Sequence, residues 1–249
     1  MNFKLGLQLF QFPAHELCKE RIVSTFKKIK GLGYDGVEYS ISSSYSGEQI
    51  KDYAQAAELI PKSFGADIDQ MKKDPMMIIK KAQTLGSKYI IAPYNEFESF
   101  DEIIYFANIY NGFGKACADN GLVLNYHNHF REFELFDGKF ALEILLEKTN
   151  PKYLKAQFDV LFMHQMGVLS YDFIAKYKGR CPSIHVKDFK APDFISMPIG
   201  TGEIDLSKLV EAASQCHTEW LIVEMSKPTL AENYFGKIEI SMRNLKKFC

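Results

Sequence analysis

The sequence predicts an α/β protein, folded as a single (β/α)8 barrel, from its length, its alternating pattern and the spacing of that pattern. The chain has 249 residues, 47% apolar and 24% charged, which is typical of a folded domain and not of a disordered one. Short apolar runs of strand length alternate with longer amphipathic stretches, as in strand–helix units on a parallel sheet. Eight such units fill the chain and no Pro/Gly/Ser-rich linker divides them, so we expect one domain over residues 1–249.

Eight short runs are the predicted barrel strands. In chain order they are Leu5–Phe10, Gly36–Tyr39, Lys62–Ala66, Tyr89–Ala92, Leu122–Tyr126, Ala156–Phe158, Ser183–Val186 and Trp220–Val223. The third run is the weakest because it follows Pro61 and contains Ser63. Successive strands are 26 to 38 residues apart, close to the roughly 30 residues that a strand, a helix and two loops need. Because an open doubly wound sheet usually has fewer strands, the count favours a closed barrel.

Residues at the ends of the intervening stretches predict helices there. Asp74 before Pro75 predicts a side-chain cap followed by a first-turn proline, and Ser99 with Glu102 has the pattern of a capping box. Glycines follow three helical stretches, at Gly33, Gly86 and Gly121. The helices are therefore predicted from local signals as well as from periodicity.

Charge, cysteine usage and missing motifs exclude several classes of function. Thirty basic and 31 acidic residues give a net charge of -1, so nothing draws the chain generally toward nucleic acid or an anionic membrane. No run approaches the roughly 18 apolar residues of a membrane span, and the start lacks a secretory signal. The five cysteines are scattered without a C-x-x-C pair, as expected for reduced thiols in a cytoplasmic protein. No glycine-rich nucleotide fingerprint is present.

Polar side chains, most of them potential metal ligands, lie where the predicted strands end. They are Glu38 on the second strand, His127, His129 and Glu132 after the fifth, Asp159 after the sixth, His185 and Lys187 on and after the seventh, and Glu224 after the eighth. In a barrel these ends converge on one mouth. Mixed oxygen and nitrogen ligands suit Mn, Zn, Co or Mg, and a bound ion polarises a substrate carbonyl while a neighbouring carboxylate moves a proton on carbon. The sequence therefore predicts a divalent-metal site at the mouth.

Several motifs in this order resemble the sugar phosphate isomerase/epimerase family of xylose isomerase-like TIM barrels, a group that includes inosose dehydratases and ketose 3-epimerases. The matching segments cover nearly the whole chain and are Gly36-Val37-Glu38, Tyr126-His127-Asn128-His129, Glu132-Phe133, Asp159, Tyr177-Lys178-Gly179-Arg180, His185-Val186-Lys187-Asp188, residues 199–205 and Trp220-Leu221-Ile222-Val223-Glu224. The resemblance implies a TIM barrel, a bound divalent metal and a homo-oligomer.

The resemblance also implies a metal held by a glutamate from the fifth-strand region, an aspartate, a histidine and a final glutamate. Three of these are Asp159, His185 and Glu224. Glu132 and His127 both fit the fourth ligand position, and we assign it to Glu132. Glu132 and Glu224 are then expected to remove and return the substrate's proton. The residues expected to face the substrate are Glu38, His127, His129 and Lys187. Departures from the family pattern at Phe162 and Ser226 fall on the substrate side, so the resemblance implies an atypical substrate.

Alternatives remain for two of these residues and for the function. Glu38 is equally consistent with a structural ion pair, and Lys187 with a plain pair to Asp188. The expected function is a metal-dependent isomerase or epimerase of a sugar, sugar phosphate or cyclitol, acting through an enediolate. A dehydratase using the same base and a non-catalytic sugar-binding barrel are the alternatives. A phosphodiesterase on abasic DNA is disfavoured by the charge balance. The expected partner is a small carbohydrate, with no nucleic acid and no membrane.

Overall fold

A closed parallel barrel forms the centre of the protein. The structure is a computed structural model that describes residues 3–10, 12–39, 45–226, 229 and 232–249. The barrel strands are β1 (Lys4–Gln8), β2 (Gly36–Tyr39), β3 (Ile60–Gly65), β4 (Tyr89–Ala92), β5 (Val123–His127), β8 (Leu154–Asp159), β9 (Ser183–Val186) and β12 (Trp220–Val223). Each pairs in parallel with the next, and β12 pairs with β1 to close the ring. The predicted (β/α)8 barrel is confirmed.

Helices connect the strands on the outside of the barrel. They are α1 (Ile22–Gly31), α2 (Gly47–Gln55), α3 (Ile68–Lys73), α4 (Pro75–Leu85), α5 (Phe100–Asp119), α6 (Ala141–Lys148), α7 (Val160–Gln165), α8 (Ser170–Ala175), α9 (Leu206–Gln215) and α10 (Tyr234–Leu245), with short 3₁₀ helices at Ala14–Glu16 and Arg131–Phe133. Among the described residues, no helix is long and apolar enough to cross a membrane.

The helix ends follow most of the predicted signals. The Asp74 side chain accepts from the Met77 amide at the start of α4, and Gly33, Gly86 and Gly121 all have positive φ. Ser99 caps α5 by accepting from the Glu102 amide. The reciprocal half of the capping box differs, because the Glu102 carboxylate accepts from the Glu98 amide.

The third barrel strand is irregular, which explains its weak sequence pattern. The register between β2 and β3 shifts between Val37 and Glu38, so Val37 pairs with Pro61 and Glu38 with Ser63. Lys62 is the additional residue of this bulge. Both Lys62 and Ser63 consequently turn toward Glu38, with which each makes a hydrogen bond.

The barrel interior changes from apolar to charged along its axis. At the amino-terminal end, Tyr89, Trp220 and Ile222 form a separate buried cluster. Gly36 is required there because a Cβ would lie 2.9 Å from the Trp220 ring and would collide with the backbone of Ile60. A buried polar layer follows, made of Glu38, Lys62, Asn125, Gln157 and Ser183. The metal-ligating types lie above this layer, at the carboxyl ends of the strands, where the catalytic residues of such barrels are found.

Two hairpins extend the loops at this catalytic end. One joins β6 (Leu135–Phe136) to β7 (Lys139–Phe140), and the other joins β10 (Asp188–Lys190) to β11 (Ile195–Met197). The Asp188 carboxylate anchors the second hairpin, because it accepts from the backbone amides of Gly200 and Gly202, both at 2.8 Å. A Cβ at Gly202 would collide with this carboxylate, so the close approach requires glycine.

Candidate active site at the barrel mouth

A cavity of about 260 Å³ opens at the carboxyl ends of the barrel strands. We call it the main cavity. Its polar lining includes all four residues predicted to face the substrate, together with two of the predicted metal ligands; these are Glu38, His127, His129, His185, Lys187 and Glu224. Convergence of titratable groups in one cavity is a usual mark of a functional site.

Aromatic rings form the opposite side of the main cavity. Tyr94 stacks on His129 with ring centroids 3.7 Å apart, and Phe162 lies 4.3 Å from the same ring. Phe10 also lines the cavity, whereas Phe12 packs away from it, edge-on against Tyr234. Flat apolar rings next to hydrogen-bonding groups suit the alternating faces and hydroxyls of a sugar.

Three side chains bring potential metal-ligating atoms together. One ligand atom each from His127, Asp159 and His185 lies within 4.8 Å of the others. Glu224 is adjacent to this group, with its Oε2 2.6 Å from Nδ1 of His185. The buried Nδ1 of His127 has no hydrogen-bond partner among the described residues. A buried imidazole nitrogen with a free lone pair beside a carboxylate and a second imidazole is a suitable start for an ion site.

His185 is held between two carboxylates. Its Nε2 lies 2.7 Å from Oε1 of Glu38, and its Nδ1 faces Glu224. Burial favours the neutral ring, but the charges of Glu38 and Glu224 outweigh burial and raise the pKa of His185 to about 9. His185 is therefore an imidazolium at neutral pH in this arrangement. A carboxylate on the far nitrogen also fixes the orientation of a metal-binding histidine, which is the role open to Glu38.

Lys187 supplies a second buried positive charge to the site. Its Nζ lies 2.8 Å from Oδ2 of Asp159 and 3.1 Å from Oε1 of Glu224. The two carboxylates outweigh burial and hold the pKa of Lys187 above its usual value. The alternative of a pair with Asp188 is not realised, because the Asp188 carboxylate accepts from backbone amides. Lys187 instead joins the sixth-strand and eighth-strand carboxylates.

The two histidines that follow the fifth strand are neutral. Burial, reinforced by the neighbouring His185, lowers the pKa of His127 well below its usual range. Burial, reinforced by Lys187, lowers the pKa of His129 to about 4. Their rings are 5.2 Å apart and both line the main cavity, in keeping with the strand alternation that predicts a common side. They can donate or accept hydrogen bonds without carrying charge.

Glu132 lies outside this group, which conflicts with its predicted place as ligand and base. Its Oε1 accepts from the Tyr126 hydroxyl at 2.7 Å and from the Asn95 amide at 3.1 Å, and its Oε2 accepts from the His129 amide. Glu132 does not line the main cavity. Tyr126 packs against Tyr110 of α5, on the helix side of β5, because neighbouring strand residues face opposite ways. His127, one residue later, lines the main cavity.

A polar layer below the site contains residues that the sequence interpretation missed. Glu38 accepts from Gln157 Nε2 at 2.8 Å and pairs with Lys62 Nζ at 3.3 Å. The charges of His185 and Lys62 outweigh burial and hold the pKa of Glu38 well below its usual range. The ion-pair alternative for Glu38 is thus realised, although Glu38 also lines the main cavity. The sequence does contain a signal for this layer, because Lys62 is a lysine inside an otherwise buried strand.

The donor set fits a divalent ion of the kind expected. Two imidazoles and the carboxylates of Asp159 and Glu224 offer the mixed N and O ligands that Zn or Mn accept. Three carboxylates, Glu38 included, are balanced by Lys62, Lys187 and protonated His185. Binding an ion at Nδ1 of His185 therefore requires release of the proton from that nitrogen.

No protein-family model matches the chain, and no curated protein matches it. Among solved structures, a sugar phosphate isomerase/epimerase from Parabacteroides distasonis superposes with a TM-score of 0.86 at 18% identity, over 99% of this chain and 94% of that one.

Two further structures cover almost the whole chain. The IolI protein with a bound zinc atom has a TM-score of 0.76 at 15% identity, over 99% of each chain. A probable 3-DHS dehydratase, AsbF from Bacillus anthracis, has a TM-score of 0.77 at 12% identity, over 98% of this chain and 99% of that one. The structural neighbours of this chain are thus sugar phosphate isomerase/epimerase and xylose isomerase-like proteins, and the chain has the fold of the xylose isomerase-like TIM barrels.

Proposed function

We propose that this protein is a metal-dependent enzyme that isomerises a carbohydrate by moving a proton between adjacent carbons. The observation that carries the proposal is the group of His127, Asp159, His185 and Glu224, whose ligand atoms lie close together and of which His127, His185 and Glu224 line an aromatic-walled cavity. The similar structures include an isomerase/epimerase and a zinc-containing protein, which supports the reaction class and the metal. We propose His127, not Glu132, as the ligand from the fifth-strand region.

Glu224 is the proposed base. Burial would raise the pKa of Glu224, but the positive charges of Lys187 and His185 prevail and lower it below its usual value. The carboxylate is therefore ionised and able to accept a proton, although its basicity is low. The acidity of the substrate C–H consequently has to be increased by electrophiles. When bound, the ion would polarise the substrate carbonyl.

The remaining polar groups stabilise the charge that develops on the substrate oxygen. The Lys187 ammonium lies beside Glu224 and lines the main cavity, so it is positioned to contact an oxyanion. Neutral His127 and His129 can donate hydrogen bonds from the other side of the cavity. Fixed donors in a buried cavity stabilise such charge more than they would in water.

One carboxylate base favours some outcomes over others. With Glu132 bound to Tyr126, Glu224 is the carboxylate of the proposed proton-transfer pair that lines the main cavity. A single base can return the proton to the neighbouring carbon on the same face, while the proton of the adjacent hydroxyl passes to the former carbonyl oxygen, which completes an isomerisation. Inversion at one carbon needs a donor on the opposite face. The same observation favours elimination of a hydroxyl as the second candidate, because Glu224, once it holds the proton taken from carbon, can give that proton to the departing hydroxyl, which leaves as water. The dehydratase among the similar structures supports that alternative.

Hydrogen exchange at carbon tests this proposal. Aldoses, ketoses and their phosphates are incubated with the Mn²⁺-loaded protein in D₂O, and deuterium incorporation next to the carbonyl is followed by NMR. We expect incorporation with wild type and a decrease of about 10²–10⁴-fold in Glu224→Gln, the usual effect of removing a general base.

Glu132→Gln is the matched control, because it changes the other predicted glutamate outside the main cavity. It is expected to retain exchange, with folding of both variants checked by circular dichroism. If no member of the panel exchanges with wild type, or if Glu132→Gln loses exchange while Glu224→Gln keeps it, the proposal is wrong.

A further inference from the structure

A second cavity of about 450 Å³ adjoins the main cavity. We call it the side cavity. Its own lining consists of Leu161, Gln165, Phe194, Ile195, Ser196, Ser226 and Thr229. Neither the proposed proton transfer nor the proposed metal site uses any of these residues. The side cavity therefore needs a separate explanation.

The two cavities share one partition, and that partition contains the proposed base. Phe162, Lys187 and Glu224 line both cavities. The Lys187 ammonium lies 4.5 Å from the centre of the Phe162 ring and 3.1 Å from the Glu224 carboxylate. A molecule that reached from one cavity into the other would lie against Glu224. The reacting carbon would then lie in the main cavity and its substituent in the side cavity, on either side of this partition.

The far wall of the side cavity is held in place by hydrogen bonds. Thr229 Oγ1 donates to the carbonyl of Ser196 at 2.6 Å, and the Ser226 amide donates to Ser196 Oγ at 3.1 Å. Ser196 lies on β11 of the hairpin whose base is anchored by Asp188. The hairpin is thus attached both to the loop after β12 and to its own following loop. A wall fixed in this way is a preformed surface, which lowers the entropy cost of binding.

The lining combines flat apolar surface with hydroxyl and amide groups. Phe194 packs on Phe189, with ring centroids 4.9 Å apart, and presents its ring to the side cavity together with Phe162. Ser226 Oγ and Thr229 Oγ1 are 3.0 Å apart. Aromatic faces with a few placed polar groups suit a ring-shaped ligand with hydroxyls or an aromatic ring. Lys187 and Glu224 at the partition give no net charge that would select an ionic group.

The volumes of the two cavities also favour a ligand with a second ring. The main cavity, at about 260 Å³, is smaller than the roughly 300–1,000 Å³ typical of ligand pockets for drug-sized molecules. The side cavity adds space for a second group of ring size. A free monosaccharide would leave it to solvent, together with the exposed apolar side chain of Ile195.

We propose that the substrate is a carbohydrate that carries a carbonyl group and is joined to a second ring, such as a disaccharide with a free reducing end, with the carbonyl-bearing sugar in the main cavity and the second ring in the side cavity. This inference rests on the proposed function, since it takes the main cavity as a sugar site. Phe194 and Phe162 contact the second ring, and Glu224 lies beside the junction between the two groups. The side cavity thus selects substrates that have a second ring, whereas residues of the main cavity carry out the proton transfer.

Binding of matched one-ring and two-ring sugars tests the inference. Titration calorimetry compares methyl β-D-glucoside, phenyl β-D-glucoside and cellobiose, and the α-linked set of methyl α-D-glucoside, phenyl α-D-glucoside and maltose. At least one two-ring member is expected to bind about 10-fold tighter than its methyl glycoside, as one well-formed aromatic contact provides. Phe194→Ala should abolish this gain and leave the affinity for the methyl glycoside unchanged.

Tyr94→Ala is the matched control, because it removes an aromatic wall of the main cavity only. It should weaken one-ring and two-ring ligands alike, and unfolding temperatures show whether both variants are folded. Equal affinity for one-ring and two-ring members, or an equal loss for both in Phe194→Ala, overturns the side-cavity inference and leaves the proposed function standing. Failure of every sugar to bind also overturns the inference, whereas the proposed function is decided separately by the deuterium-exchange experiment with Glu224→Gln and Glu132→Gln.

Discussion

Two polar clusters meet at β5, one at His127 and the other at Tyr126, and they differ in how their groups are satisfied. The cavity cluster consists of His127, Asp159, His185, Lys187 and Glu224, and the outer cluster consists of Asn95, Tyr110, Tyr126 and Glu132. In the cavity cluster, charged groups are in direct contact beside the main cavity, and His127 Nδ1 has no partner among the described residues. In the outer cluster, hydroxyl and amide donors from nearby segments saturate the one carboxylate.

The difference shows why residue type alone does not identify a catalytic group. Glu132 has the right chemistry and a position near the right strand, but its acceptor sites are already used and its partner Tyr126 faces the helix layer. His127 has a free nitrogen and faces the interior. A group that must bind an ion or a substrate needs unsatisfied capacity directed at the cavity, and this capacity separates His127 from Glu132.

The largest expected effect comes from removing the charge that holds the cavity cluster together. Lys187→Met leaves Asp159 and Glu224 as buried carboxylates without their ammonium, so we expect a loss of about 3–5 kcal/mol in the free energy of unfolding, as for other broken buried pairs. Mn²⁺ should restore more stability to this variant than to wild type, because the ion replaces the missing positive charge. Urea unfolding with and without Mn²⁺ measures both effects.

The outer cluster supplies the control for this prediction. Tyr110→Phe removes the hydroxyl that accepts from Asn95 Nδ2 at 2.6 Å, and the expected loss is only about 1 kcal/mol, the usual contribution of a neutral hydrogen bond. Mn²⁺ should make no additional difference there. Equal stability of Lys187→Met and wild type would mean that the buried charges do not hold the cavity cluster together.

The second-largest expected difference between the two clusters is the effect of a substitution on metal affinity. His127→Ala removes a proposed ligand, and we expect the affinity for Zn²⁺ to fall by more than the roughly 10–100-fold that loss of an outer-shell partner causes. Glu132→Gln should change the affinity little, because Glu132 is bound to Tyr126 and does not belong to the ligand group. Calorimetric titration of both variants with Zn²⁺ checks this. The reverse ranking would restore Glu132 as the ligand.

Much of the fold was predictable from the sequence because its signals are local. All eight barrel strands were predicted, and Asp74 and Ser99 cap helices as their positions indicate. The bulge that turns Lys62 inward was not predictable, because a bulge changes which residues face the interior without changing the hydrophobic pattern. The hairpin of β10 and β11 was missed for a similar reason, since its strands are only three residues long.

The site was predictable for side chains on a barrel strand or within two residues of its end, which include His129, Lys187 and Glu224. Asp159 and His185 lie on barrel strands, and alternation fixes the side they face. Beyond His127 the chain leaves β5 and enters the 3₁₀ helix that contains Glu132, where the two-residue period no longer holds. The direction of Glu132 therefore depends on tertiary contacts with Tyr126 and Asn95, which the spacing of the motif does not reveal.

The smallest expected effect tests the burial of the outer cluster through pH. Burial raises the pKa of Glu132 from 4.5 to about 7, against the hydrogen bonds from Tyr126 and the backbone. As the pH rises, this carboxyl ionises in the unfolded chain before it ionises in the folded protein. The contribution of Glu132 to the free energy of unfolding therefore falls by about 2 kcal/mol between pH 5 and pH 7. Urea unfolding across this range should show that Glu132→Gln lacks this part of the decline, whereas an unchanged slope would mean that Glu132 is already ionised at pH 5.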